Sequence, residues 1–247
     1  MQKKITFIPF IYSLLIYVGI CLFPFDRFIN SGMIIRLIRI TLLIIFFFFI
    51  LYDNRNNNIF KGKRLDALFL PLIISSFSNY FILLFNDFTF NEIDALELVQ
   101  AIILFSLIAL IEEVIFRYLF LDSYINRYKN KKYVNELGII LSSLLFSLCH
   151  LINAFSLNFI SILIQMSYSF CLGIVLSIIR LESRLSYAIC GHILFNVFNG
   201  VLFDYLFTFT DVSNSYIIIN VLIGILSIVY VFIVYYVVRK RRKENVT

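Results

Sequence analysis

The chain has 247 residues, of which 61% are hydrophobic and only 15% charged, and its mean hydropathy is +0.94. That is too little charge to cover a water-soluble domain of this length. Continuous apolar runs of about twenty residues also exclude a β-barrel, whose spans alternate over about ten. The net charge of +6 sits in short loops between apolar runs, which points to lipid headgroups and topology and not to nucleic acid.

In chain order, the apolar runs are 5–24, 33–52, 65–86, 99–121, 137–153, 157–180, 184–204 and 216–238. Each is long enough to cross about 30 Å of hydrocarbon as a helix. The first follows Met1–Lys4 like a signal sequence, yet no small-x-small cleavage site follows it, so it reads as a retained helix. The fifth is the shortest and is expected to begin a turn earlier, near Tyr133. Segment 88–98 is acidic with Phe88, Phe90, Ile93, Leu96 and Leu98 interspersed, and reads as a short amphipathic piece in the outer interface. Cys21, Cys149, Cys171 and Cys190 all fall inside apolar runs without CxxC spacing, which suggests neither disulfides nor a zinc ribbon.

The loops set the orientation. Seventeen of the 21 basic residues lie before the first span, after the second and fourth, around the sixth connection and after the eighth. The alternate loops carry Asp87, Glu92, Asp94, Glu97, Asp204 and Asp211. The positive-inside rule then places both termini in the cytoplasm. Arg36 and Arg39 are exceptions near the outer end of the second span, where snorkelling is expected. The expected fold is an all-α polytopic membrane bundle of about eight transmembrane helices. It is one domain over 1–247, with a motif-bearing core at about 99–204 and a basic cytoplasmic tail at 239–247.

Ionisable residues inside the spans are few and concentrated. The fourth span carries Glu112, Glu113 and Arg117, the fifth His150 and the seventh His192, these two being the chain's only histidines. Each charge near a helix centre costs roughly 2.5–3.5 kcal/mol to insert, so such a cluster calls for compensation or a function. Glu113 and Arg117 are four apart in the favourable order for an ion pair. Glu112 lies about 100° round the helix from Glu113, which leaves it free for proton transfer. His192, Asn196 and Asn199 fall at i, i+4 and i+7, and Gly191 lets another helix approach. A histidine with an amide one turn on can donate to an oxyanion, although alone the stripe reads more simply as interhelical hydrogen bonding. In the sixth span Ser161, Gln165, Ser169, Gly173 and Ser177 recur every four residues, a small-residue packing seam.

Glu112-Glu113-Val114-Ile115-Phe116-Arg117 matches EExxxR, Phe146-Ser147-Leu148-Cys149-His150 matches FxxxH, and His192-Ile193-Leu194-Phe195-Asn196 matches HxxxN. In this order, on three membrane helices, they resemble the CAAX prenyl endopeptidase and bacteriocin-processing (CPBP) intramembrane proteases. The resemblance implies hydrolysis of a peptide bond in the membrane, with Glu112 and His150 activating a water. His192 and Asn196 would then stabilise the oxyanion, with Glu113 and Arg117 supporting. It implies no cofactor on the glutamate mechanism, or Zn²⁺ held by Glu112, His150 and His192 on the metal-dependent one. HExxH is absent, which favours the metal-free form. The expected substrate is a peptide precursor or membrane-protein segment, in a bacterial cell membrane, with a role in peptide maturation or bacteriocin self-immunity. The alternative is a non-catalytic immunity or scaffolding protein. A proton-coupled transporter is a third reading, though neither repeats nor broken helices are visible to support it.

Overall fold

The computed structural model describes residues 7–25, 29, 31–53, 70–84, 87–155 and 159–209, with nine residues between Leu222 and Tyr236. Most of the expected eighth span, the basic loop 54–69 and both basic termini lie outside the described residues.

The described chain is almost wholly helical. Helix α1 is Ile8–Leu22 and α2 is Gly32–Asp53. Helix α3, Leu70–Ser76, gives way to a 3₁₀ helix, Ser78–Leu84. A three-residue strand β1, Phe88–Phe90, precedes α4, Ala95–Glu113. The latter runs on as a π-helix, Val114–Asp122, and then as α5, Ser123–Tyr128. Helix α6, Val134–Cys149, ends in a 3₁₀ turn, His150–Phe155. Helix α7 is Phe159–Glu182, and α8, Leu185–Leu194, continues as a second π-helix, Phe195–Leu202. Helix α9, Phe203–Leu206, and strand β2, Phe207–Phe209, close the described bundle.

Five of these helical stretches are long and apolar enough to cross a membrane: Gly32–Tyr52, Ala95–Tyr128, Val134–Ala154, Phe159–Glu182 and Leu185–Leu206. Their outer faces stay apolar, with Ile45, Phe48, Phe159 and Ile160 all exposed, a surface that suits lipid and not water. The protein is a multi-pass membrane protein. Helix α1 is shorter, at 15 residues. The third expected span is not one continuous helix. Its chain tightens after Ser76, where the Ser75 and Ser76 hydroxyls bond back to the Leu72 carbonyl. From there Ser78, Asn79 and the backbone of Asn79 bond to Asn199 instead.

Segment 88–98 also differs from the amphipathic piece expected of it. Phe88–Phe90 pairs antiparallel with Phe207–Phe209, and their rings cluster at 5.3–5.4 Å about Phe207. Asp94 caps α4, its carboxylate accepting from the Leu96 and Glu97 amides at 2.8 and 3.2 Å. The alternation of Phe88 and Phe90 about Thr89 fits a strand, whose side chains point alternately to its two sides. Arg36 pairs with Glu97 and donates to Gln100 at 3.2 Å, tying α2 to the first turns of α4.

Helices α6 and α7 pack along their length. A Cβ at Gly173 would lie 3.0 Å from the Ser143 Cα, so the seam of small residues does bring two backbones together. At the end of the π-helix that follows α4, Arg180 holds the Asp122 carboxylate through its Nε and one Nη, at 2.5–3.2 Å. Gly191 on α8 faces α3: a Cβ there would fall 2.0 Å from the fully buried Leu72 Cδ1. Gly191→Ala is therefore expected to cost about 1–3 kcal/mol by overpacking. Thermal melting of the detergent-purified variant checks this, and an unchanged midpoint would contradict it.

Candidate active site

The site is built from the inside faces of α1, α4, α6 and α8. Glu112 and Glu113 end the regular part of α4, just before the π-helix widens the chain. A π-turn leaves carbonyls without their usual partner, and here the Ser142 hydroxyl on α6 takes the Phe116 carbonyl at 2.9 Å. The two glutamates then part. Glu112 faces a cavity of about 590 Å³, while Glu113 is fully buried behind it and does not line it.

Glu113 is held from two sides. Arg117 Nε lies 3.3 Å from its Oε2, and His192 Nδ1 lies 3.0 Å from its Oε1. A carboxylate paired with a guanidinium can only accept, so His192 donates from Nδ1 and its Nε2 points away from Glu113. That Nε2 is 3.7 Å from Glu112 Oε2. The other carboxylate oxygen of Glu112 accepts from the Tyr17 hydroxyl of α1 at 2.6 Å. One oxygen of Glu112 is thus fixed by a phenol, and the other is left toward the histidine and the cavity.

His150 stands at the junction of α6 and its 3₁₀ turn. Its backbone amide bonds forward-shifted carbonyls, those of Ser147 and Leu148, which frees the Phe146 carbonyl. The ring Nδ1 takes that carbonyl at 3.1 Å. Since a carbonyl only accepts, Nδ1 carries the proton and the neutral ring keeps its lone pair on Nε2. Phe146 itself is a spacer. Its ring is edge-on to His150 at 5.1 Å and to His192 at 5.5 Å, with the Arg117 guanidinium 4.7 Å away over its face.

Asn196 lies on the π-helix after α8 and lines the same cavity as Glu112, His150 and His192. Asn199, which the spacing put on one stripe with them, lines the same cavity and also accepts from Ser78 and Asn79, at 2.9 Å and 2.7 Å, where the third span breaks. Sequence reasoning missed Tyr17 and gave Phe146 no role. A phenol inside the apolar first span was the available signal for the first, the motif's own phenylalanine for the second.

Among the described residues no three His, Cys, Asp or Glu side chains are gathered as a metal ion requires.

Residues 94–198 match the family model described as type II CAAX prenyl endopeptidase Rce1-like. The matched segment, less than half of the chain, is similar to that family. The match begins at Asp94, which caps α4, and ends at Phe198 in the second π-helix. It includes Glu112, Glu113, Arg117, Phe146, His150, His192 and Asn196. Tyr17 and Arg39 contribute to the cavity from outside the matched segment. No match to the chain is found among the curated proteins or among the solved structures.

Proposed function

We propose that the protein is an intramembrane endopeptidase in which Glu112 and His150 activate a water, and His192 and Asn196 stabilise the oxyanion. The observation that carries this reading is the division of labour between the adjacent glutamates: Glu112 faces the cavity and Glu113 is spent on Arg117 and His192. Glu112 Oε2 accepts a proton from water as the oxygen attacks the peptide carbonyl. His150, with its lone pair on Nε2, accepts the water's other hydrogen and aims it. A His192 that donates from both nitrogens is an imidazolium, its charge and that of Arg117 together offsetting the two glutamates, and its Nε2–H then reaches the oxyanion together with the Asn196 amide. The proton on Glu112 passes to the departing amine, so the cycle ends where it began.

The eight-helix topology with both termini in the cytoplasm of a bacterial cell membrane, supported by the seventeen alternating basic residues, belongs to the same proposal. The substrate class is a peptide precursor or membrane-protein segment, with bacteriocin self-immunity as one use of such cleavage. The mechanism runs without a metal, a reading supported by the absence of HExxH and by the amide at Asn196, a poor zinc ligand. Purified protein is expected to keep its activity after prolonged treatment with a membrane-permeant chelator, and to hold no stoichiometric zinc. Asn196→Ala is expected to slow turnover roughly 10²–10³-fold, as for other single oxyanion donors. Loss of activity to the chelator, restored by Zn²⁺, would overturn the metal-free mechanism.

A further inference from the structure

Helix α2 carries two arginines, and they end differently. Arg36 is consumed by Glu97 and Gln100 of α4. Arg39 has no such partner: its Nε is buried without an acceptor, and among the described residues no hydrogen bond or ion pair reaches its guanidinium. The group rests near the Phe25 ring, 5.8 Å from its centroid, and lines the cavity that also holds Glu112, His150, His192 and Asn196. Asp204 lines the same cavity without pairing with it.

An unpaired guanidinium in an apolar span is costly, and Arg117 shows what this bundle does when it needs only structure: it supplies a carboxylate from the same helix. At Arg39 no carboxylate is paired among the described residues, and the guanidinium lines the open cavity instead. We propose that Arg39 is a substrate-anchoring site, its planar fork holding a carboxylate of the peptide while Glu112 acts on a bond further along the chain. The proposal rests on the protease reading above. The guanidinium matches a carboxylate with two parallel hydrogen bonds, which a lysine in its place would not. A lipid phosphate fits less well: Arg39 follows Gly32 by seven residues, about 10 Å along the helix and below the level of the headgroups.

The test measures binding without turnover, using the full-length Glu112→Gln protein in a neutral detergent. The probes are a fluorescein-labelled Ile-Leu-Phe tripeptide with a free C-terminal carboxylate, its amide, and an amidated peptide pair differing by Glu against Gln. The carboxylate form of at least one pair is expected to bind at least about tenfold more tightly than its neutral form. That pair also names the source, chain terminus or side chain. Adding Arg39→Gln should abolish the preference, and Arg39→Lys should restore it only in part. Equal binding within both pairs overturns the proposal, whether or not the Arg39→Gln protein can be purified. A preference that survives Arg39→Gln overturns it too. So does competition by phosphatidylglycerol at Arg39 in the absence of any carboxylate effect. Peptide cleavage by the wild-type protein is scored separately: carboxylate binding through Arg39 with no cleavage would sink the protease reading and leave the site.

Discussion

Replacing Glu112 by Gln is expected to lower peptide hydrolysis by roughly 10⁴-fold while leaving the protein inserted and folded. Gln keeps the shape and can still accept the Tyr17 hydroxyl, now 2.6 Å from Glu112 Oε1, but it cannot take a proton from water. Its new N–H groups meet the cavity, so no buried donor is stranded. His150→Ala acts on the same water and should be nearly as severe. Tyr17→Phe is milder. It frees one carboxylate oxygen to rotate and should lower kcat about tenfold with little change in KM, the mark of a positioning residue. Glu112→Gln with substantial activity would remove Glu112 from the chemistry.

The second large effect is on stability. Arg117→Leu is expected to destabilise the protein by about 3–5 kcal/mol, because it leaves the fully buried Glu113 without its cation. The loss also reaches function: Arg117 holds one oxygen of Glu113, whose other oxygen orients His192. Glu113→Gln should therefore lower both melting temperature and turnover, unlike Glu112→Gln, which should lower turnover alone. The double variant Arg117→Leu with Glu113→Leu should recover much of the lost stability and none of the activity, since a buried pair exchanged for apolar side chains costs little. Thermal melting in detergent, beside activity in vesicles, checks all four. An Arg117→Leu protein as stable as the parent would show that the pair holds nothing.

The membrane class, five of the spans and the crowding of polar groups on the fourth, fifth and seventh were legible because insertion cost makes every buried charge conspicuous. So was the sorting of Glu112 from Glu113, since four-residue spacing survives the passage into the π-helix. Three features were not legible. The third span broke because three serines within four residues, Ser75, Ser76 and Ser78, turned their hydroxyls to the backbone and to Asn199, which hydropathy does not register. Arg36 found Glu97 and Gln100 across a helix interface, a pairing between positions 61 and 64 residues apart that no periodicity connects. Tyr17 escaped notice for the same reason, its partner being 95 residues away.

The most direct test of the account is hydrolysis itself, read by mass spectrometry in ¹⁸O-labelled water. Purified protein in lipid vesicles is incubated with a peptide library, and new C-termini are sequenced. Wild-type protein is predicted to release fragments carrying one ¹⁸O in the new carboxyl group, and Glu112→Gln to release none. Fragments formed equally by both proteins, or no new carboxyl group from either, would contradict it.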